Sequence, residues 1–153
     1  METNENKKIA ENQMEALLSA STEHFNKRNL KMARSTAQIA LDFAKQSENA
    51  KYIFDASIAL SKIYGTNGRY ANEDSFFVKA HEYLDESKKL VFQRSVDNEI
   101  DYHKALARVY FNENKIGQSI KVYDVAISEA ESIENNAALA SIFVRKGLSL
   151  IHI

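Results

Sequence analysis

Two pairs of histidine and carboxylate side chains have the spacing that could support chemistry in this sequence. His81 and Asp85 lie four positions apart, and so do Glu99 and His103. Residues four apart share one face of a helix, so either pair could contribute two ligands to a metal ion. Such pairs more often make a solvated contact on the helix surface. We therefore predict no metal site at either pair.

Other catalytic groupings are missing from the sequence. It contains no HExxH zinc motif, no phosphate-cradling glycine loop and no Ser/His/Asp motif. It also contains no cysteine, which excludes a thiolate nucleophile, a disulfide framework and a cysteine-based zinc site. We expect a protein that is not an enzyme and that uses no cofactor.

The composition narrows the class of protein and of partner. The chain has 153 residues, of which 44% are hydrophobic and 27% are charged, as expected for one globular domain. Its 20 basic and 21 acidic residues give a net charge of -1, whereas a general nucleic-acid binder needs a basic surplus. The longest apolar run, 137–144, is too short to span a bilayer, and the N-terminus lacks the apolar core of a secretory signal. We expect a cytoplasmic protein without a nucleic-acid or membrane partner.

The pattern of helix formers and helix breakers predicts an all-α fold. The sequence has no proline, the strongest helix breaker, and only four glycines. Asparagine and glycine favour helix ends, so we predict turns at NKRN (26–29), GTNG (65–68) and NENK (112–115). Softer breaks lie near 46–49, 88–91 and 133–136. The predicted helices are 8–26, 30–47, 50–65, 70–88, 92–112, 116–133 and 136–152.

The three main breaks have similar surroundings. Before each break, a small residue precedes an aromatic residue or histidine by three positions: Ser21 and His24, Ser61 and Tyr64, Ala107 and Tyr110. After each break, similar positions hold Leu30, Ala37 and Ala40, then Tyr70, Phe77 and Ala80, then Ile116, Tyr123 and Ala126. Small residues let two helices approach closely. A single helical hairpin cannot bury its apolar face, so repeated hairpins should stack into a solenoid.

These positions resemble the tetratricopeptide repeat (TPR) family. The second unit matches its pattern best, with Leu60, Ser61, Tyr64, Gly68, Tyr70, Phe77 and Ala80. The units are longer than the usual repeat of about 34 residues, the closing proline is missing, and Glu73 replaces an expected alanine. The resemblance implies a right-handed α-solenoid of about seven antiparallel helices, or three and a half TPR-like hairpins. It would form one domain, 1–153, with units at about 8–48, 49–90, 91–134 and a partial unit at 135–153.

The resemblance also implies a function and a site. It implies a non-enzymatic scaffold that binds a protein or peptide, as the sensory or docking segment of a larger bacterial regulator. In the family, the first helix of each hairpin lines the groove, which here gives Phe25, Asn26, Asp55, Ile58, Lys62, Asp101, Lys104, Arg108, Phe111 and Asn112. Lys62, Lys104 and Arg108 could hold a carboxylate. Alternatively, Asp55 and Asp101 simply neutralise these bases.

One known use of the family does not fit the sequence. Some TPR proteins hold the C-terminal carboxylate of chaperones with a clamp of Lys, Asn, Asn, Lys and Arg. The corresponding positions here are Leu18, Thr22, Ala59, Asp101 and Ala105, and none of them matches. We therefore expect a partner other than a chaperone tail.

The last predicted helix has an apolar face without a following helix to cover it. Its large apolar residues are Leu148, Leu150, Ile151 and Ile153. Solenoids normally close with a polar capping helix. The sequence leaves two interpretations open: the chain is a fragment of a longer protein, or it self-associates into a homo-oligomer through this end.

Overall fold

The structure is a computed structural model that describes residues 3–91 and 96–151. The described residues form seven α-helices and no strand, so the predicted all-α class is confirmed there. The helices are α1 (Asn4–Asn26), α2 (Leu30–Gln46), α3 (Ala50–Ala71), α4 (Asp74–Val91), α5 (Val96–Asn112), α6 (Ile116–Ser132) and α7 (Asn136–Ile151). The start predicted for the fifth helix at residue 92 lies outside the described residues.

A similar short turn ends four of the helices. Arg28, Glu48, Asn114 and Glu134 have positive φ angles between 51° and 65°. At three of these turns the next residue is an asparagine whose side-chain oxygen accepts a hydrogen bond from the following helix, as Asn29 does from the Met32 amide at 3.2 Å. Asparagine is a favoured N-cap because it satisfies an amide left free at a helix start. The breaks predicted at NKRN and NENK are therefore confirmed.

The turn predicted at GTNG is wrong. Helix α3 continues through Gly65 and Gly68 to Ala71, and the chain turns at Asn72, which has φ 51° and ψ 47°. A Cβ atom at Gly68 would lie 2.7 Å from the Phe77 ring, and one at Gly65 would lie 3.3 Å from the Val109 side chain. These glycines allow neighbouring helices to pack closely and do not break α3.

The helices contact one another in a repeat-like order. Each helix packs against the next in sequence. The odd-numbered helices also form a second series, because α1 contacts α3, α3 contacts α5, and α5 contacts α7. Within the described ranges, no even-numbered helix contacts another even-numbered helix. Side chains of the odd-numbered helices are therefore brought side by side along the molecule.

The first and third hairpins are held at corresponding positions by a buried serine. Ser21 Oγ on α1 donates to the Ala33 carbonyl on α2 at 2.8 Å. Ser119 Oγ on α6 donates to the Ala107 carbonyl on α5, also at 2.8 Å. Both pairs lie 12 residues apart, with the serine on opposite helices of the hairpin. In the second hairpin Gly68 makes room for the Phe77 ring, which the extended α3 permits.

Helix α7 exposes much of its apolar surface. Ile142 and Ser149 are buried, whereas Phe143, Val144, Leu148, Leu150 and Ile151 are exposed. Ile153, also predicted for self-association, lies outside the described residues. Neither α7 nor any other helix in the described part of the chain is long and apolar enough to cross a membrane.

Candidate functional site

Three adjoining cavities run along the odd-numbered helices. Their volumes are about 280, 220 and 260 Å³, and the Arg108 side chain lines all three. We call them together the central groove. It is lined by Phe25, Asn26, Arg28, Leu30, Ile58, Lys62, Thr66, Arg69, Tyr70, Asp101, Lys104, Ala105, Arg108, Phe111, Asn112, Tyr123, Ser141, Arg145 and Leu148.

The structure brings most of the predicted groove residues together. Nine of the ten line the central groove: Phe25, Asn26, Ile58, Lys62, Asp101, Lys104, Arg108, Phe111 and Asn112. Asp55 is the exception. It lies half-buried on α3 but lines none of the three cavities.

Sequence reasoning missed several groove residues, for two reasons. The predicted turn at 65–68 and the predicted helix at 70–88 leave Arg69 between them and place Tyr70 in the later helix. The extension of α3 instead carries both side chains into the groove. In the partial fourth unit the repeat register predicts Val144 as a lining residue, but the structure places the neighbouring Arg145 in the groove. Ser141 and Arg145 lie four positions apart, as Lys104 and Arg108 do, and this shared spacing could have indicated Arg145.

The fold collects basic side chains that appear scattered in the sequence. The groove contains six of them and one carboxylate, Asp101. The six are Arg28, Lys62, Arg69, Lys104, Arg108 and Arg145. The chain as a whole has a net charge of -1, so its balanced composition conceals a strongly cationic groove. Of the two carboxylates that could neutralise Lys62, Lys104 and Arg108, Asp101 lines the groove and Asp55 does not.

The cations at the centre of the groove repel one another. Burial, together with the charges of Arg108, Arg145 and Lys104, lowers the pKa of Lys62 to about 8. Burial and the charge of Arg145 lower the pKa of Arg108 to about 10. None of the ion pairs in the described part of the chain includes these four bases. Positive charge is therefore concentrated without an ion-paired counter-charge.

Asp101 differs from the surrounding cations. Burial raises the pKa of this carboxyl, although its side chain remains partly open to solvent, and the nearby Lys104 charge opposes the rise. Asp101 lines the cavity of about 220 Å³ and neither of the other two. The negative charge of the groove is thus confined to one part of it.

Aromatic rings position some of the cations. Lys62 Nζ lies 4.4 Å from the centre of the Phe25 ring, and the Arg108 guanidinium carbon lies 5.7 Å from the same centre. The Arg69 guanidinium carbon lies 5.0 Å from the centre of the Phe111 ring. Contacts between a cation and an aromatic face are worth about 0.5–1 kcal/mol at exposed sites. They orient these bases without neutralising their charge.

The histidines that suggested metal binding join different helices. His81 on α4 pairs with Glu113 in the turn after α5, and His103 Nδ1 on α5 lies 2.6 Å from Glu129 Oε1 on α6. Burial and a hydrogen bond that the protonated Glu129 carboxyl donates to Glu99 raise the pKa of Glu129. Among the described residues, no three histidine or acidic side chains are grouped as a metal site would need. These contacts connect neighbouring helices.

The groove has the chemistry of an anion-binding surface. Guanidinium and ammonium groups form charge-assisted hydrogen bonds with carboxylate or phosphate oxygens. Thr66, Asn26 and Asn112 add neutral polar groups that can bond to a ligand backbone. No protein-family model, no curated protein and no solved structure matches this chain.

Proposed function

We propose that this protein is a non-enzymatic scaffold that binds a protein or peptide in the central groove. The observation that carries the proposal is the groove itself, where consecutive odd-numbered helices and the turn after α1 place six bases and several aromatic rings around adjoining cavities. Ligand pockets combine apolar walls with a few polar groups that fix orientation. An elongated groove with side chains from several helices suits an extended peptide.

The repeat architecture is part of the same proposal. A right-handed α-solenoid of three and a half TPR-like hairpins would produce the observed contacts between helices one and two apart in sequence. The related close contacts of Ser21 with Ala33 and of Ser119 with Ala107 also support repeated hairpins. The resemblance to TPR proteins is supported by the residues alone, and the extension of α3 through Gly68 departs from it.

The cellular role that we propose follows from the length of the repeats. Extended TPR-like units suggest the sensory or docking segment of a larger bacterial regulator. Such a segment would act in the cytoplasm, where a peptide or protein partner would bind the groove and change what the regulator contacts.

Selection from a displayed library of random peptides tests the proposed function. We expect wild type to enrich peptides that the folded variant Lys104→Glu/Arg108→Glu no longer binds. The variant Lys31→Glu/Lys121→Glu is the matched control, since it has the same change in charge at two exposed positions outside the groove. Circular dichroism establishes that the variants are folded. Equal binding of the enriched peptides by the groove variant would exclude the groove as the working surface.

Self-association through α7 is the second candidate function. It is favoured by the exposed apolar side chains of α7, with Val144, Leu148 and Ile151 recurring at helical spacing. Sedimentation equilibrium is the test. We expect a concentration-dependent oligomer that Val144→Asp/Ile151→Asp converts to a monomer, and a wild-type protein that stays monomeric at high concentration would exclude this candidate.

A further inference from the structure

We propose that the ligand of the central groove is an acidic peptide segment, whose carboxylates bind between Arg108, Arg145 and Lys62. This inference rests on the proposed peptide-binding function and names the chemical class of the ligand. It goes beyond a general scaffold because it predicts which peptides bind, where their charges lie and which classes of ligand are rejected.

The position of Arg108 defines the centre of the site. Arg108 lies on α5 and lines all three cavities. Arg145 on α7 and Tyr123 on α6 line two of them beside Arg108. Lys62 on α3 enters the same cavity as Arg108 and Arg145. Side chains from three successive odd-numbered helices therefore converge where a ligand would lie.

The absence of an ion-paired carboxylate beside these cations indicates that the ligand is negatively charged. Lys62, Arg108 and Arg145 form no ion pair with a carboxylate in the described part of the chain. Lys62 and Arg108 are partly buried, and Arg145 is exposed beside them. A partly buried cation close to other cations is unfavourable unless an anion compensates it. A carboxylate can accept two parallel hydrogen bonds from a guanidinium, which makes the two arginines suitable partners. An acidic ligand would relieve repulsion that the free protein must tolerate.

The shape and the neutral side chains of the groove favour a peptide over a nucleic acid. Cavities of about 220 to 280 Å³ fit side chains along an extended chain. Lys62 and Arg108 already contact the Phe25 ring, so this ring is not an open platform on which bases could stack. Asn26 and Asn112 can bond to peptide amides and carbonyls.

Asp101 gives the ligand an expected polarity. Because Asp101 lies in the cavity shared by Lys62 and Lys104, it repels a second carboxylate there. The cavity lined by Arg69, Arg108 and Arg145 contains no acidic residue. We therefore expect the acidic residues of the peptide to lie beside Arg108 and Arg145, where the two cavities meet next to Lys62, and its neutral residues to lie toward Asp101.

Fluorescence anisotropy with labelled hexaglutamate tests the inference on the full chain. We expect wild type to bind hexaglutamate about tenfold or more tightly than labelled hexaglutamine, with affinity falling as salt is added. Arg108→Gln/Arg145→Gln should weaken binding of hexaglutamate by about tenfold or more. The matched control Lys31→Gln/Lys121→Gln removes two exposed charges and should change it by less than about twofold.

Each of the following three results would overturn the inference. Equal affinity for hexaglutamate and hexaglutamine would remove the preference for acidic ligands. Tighter binding of a labelled single-stranded hexadeoxynucleotide would assign the groove to nucleic acid. Equal losses in the groove variant and the control would indicate only a general charge effect. If Arg108→Gln/Arg145→Gln fails to fold, Lys62→Gln replaces it, with a loss of about threefold or more expected.

Failure of this inference is distinguishable from failure of the proposed function. If the displayed library yields peptides that need the groove but carry no acidic residues, the scaffold function stands and the acidic ligand does not. If the groove variants bind hexaglutamate as well as wild type does, the acidic ligand fails for this groove. If they also bind the enriched library peptides as well as wild type does, both proposals fail.

Discussion

Lys62 Nζ on α3 lies 4.4 Å from the centre of the Phe25 ring on α1, so a cation of the second hairpin rests on an aromatic side chain of the first. The Arg108 guanidinium of the third hairpin approaches the same ring. Phe25 thus joins three hairpins at the central groove. Because the ring attracts both cations without cancelling their charge, the groove remains available to an anionic ligand.

Replacing Lys62 by methionine should stabilise the protein and weaken binding of acidic peptides. Methionine keeps most of the side-chain volume and removes a partly buried charge that three other bases repel. We expect the free energy of unfolding at pH 7 to rise by about 1 kcal/mol. Urea denaturation measures the change, and Lys121→Met is the exposed control, with an expected change below about 0.5 kcal/mol.

The stabilisation by Lys62→Met should depend on pH. The folded-state pKa of Lys62, about 8, lies below its ordinary value of 10.5. Between these values the unfolded state binds more protons, so the free energy of unfolding of wild type gains a contribution from Lys62 as pH rises. The advantage of Lys62→Met should therefore be largest below pH 8 and shrink toward pH 10. A stabilisation by Lys62→Met that does not change with pH would contradict the lowered pKa of Lys62.

Binding of an acidic peptide should take up protons near pH 8. Lys62 is then about half protonated, and a bound carboxylate raises its pKa. We expect an uptake of up to about half a proton per peptide, measured by titration calorimetry in buffers of different ionisation enthalpy. Uptake should nearly vanish at pH 6.5 and in Lys62→Met. Equal uptake by wild type and Lys62→Met would place the titrating group elsewhere.

Alanine substitutions at two helical glycines should have opposite effects. At Gly68 the new Cβ would meet the Phe77 ring at 2.7 Å, so we expect a loss of about 1 to 2 kcal/mol in the free energy of unfolding. At Gly117 nothing lies within 4 Å of the new Cβ, so better helix propensity should give a gain of about 0.5 to 1 kcal/mol. Thermal denaturation compares the two. A stabilised Gly68→Ala would contradict the close contact between Gly68 and the Phe77 ring.

Two serine-to-alanine substitutions provide a similar contrast. Ser57 Oγ is buried and has no hydrogen-bond partner in the described structure, so Ser57→Ala should raise the free energy of unfolding by about 1 kcal/mol. Ser21 Oγ donates to the Ala33 carbonyl, so Ser21→Ala should lower it by about 1 kcal/mol. Urea denaturation of both variants checks the signs, and a loss at Ser57 would reveal a bond that the packing does not show.

Local sequence signals predicted the helices well where the turn chemistry was unambiguous. Asn29 follows a left-handed residue and caps α2, which is the structure that an asparagine-rich break favours. GTNG contains the same residue types, but its glycines face Phe77 and Val109. Glycine occurs both in turns and at close contacts between helices. Which of the two roles it has depends on the residue that faces it from the neighbouring helix. A short stretch of sequence around the glycine does not show which residue that is.

The sequence predicted the outline of the groove and three of its six basic residues. The repeat register located Lys62, Lys104 and Arg108 because each lies on the first helix of a hairpin. It missed Arg145, since one position along a helix turns a side chain by about 100°. The concentration of positive charge depends on residues far apart in the chain, so a net charge of -1 gave no indication of it.

The most direct test of the central claim is an amide NMR titration of the protein with a peptide enriched by wild type. We predict that the largest shift changes map to the groove-lining residues of α3, α5 and α7, centred on Arg108 and Arg145. Changes confined to the outer surfaces of α2, α4 and α6 would contradict the account, because the peptide would then bind away from the central groove.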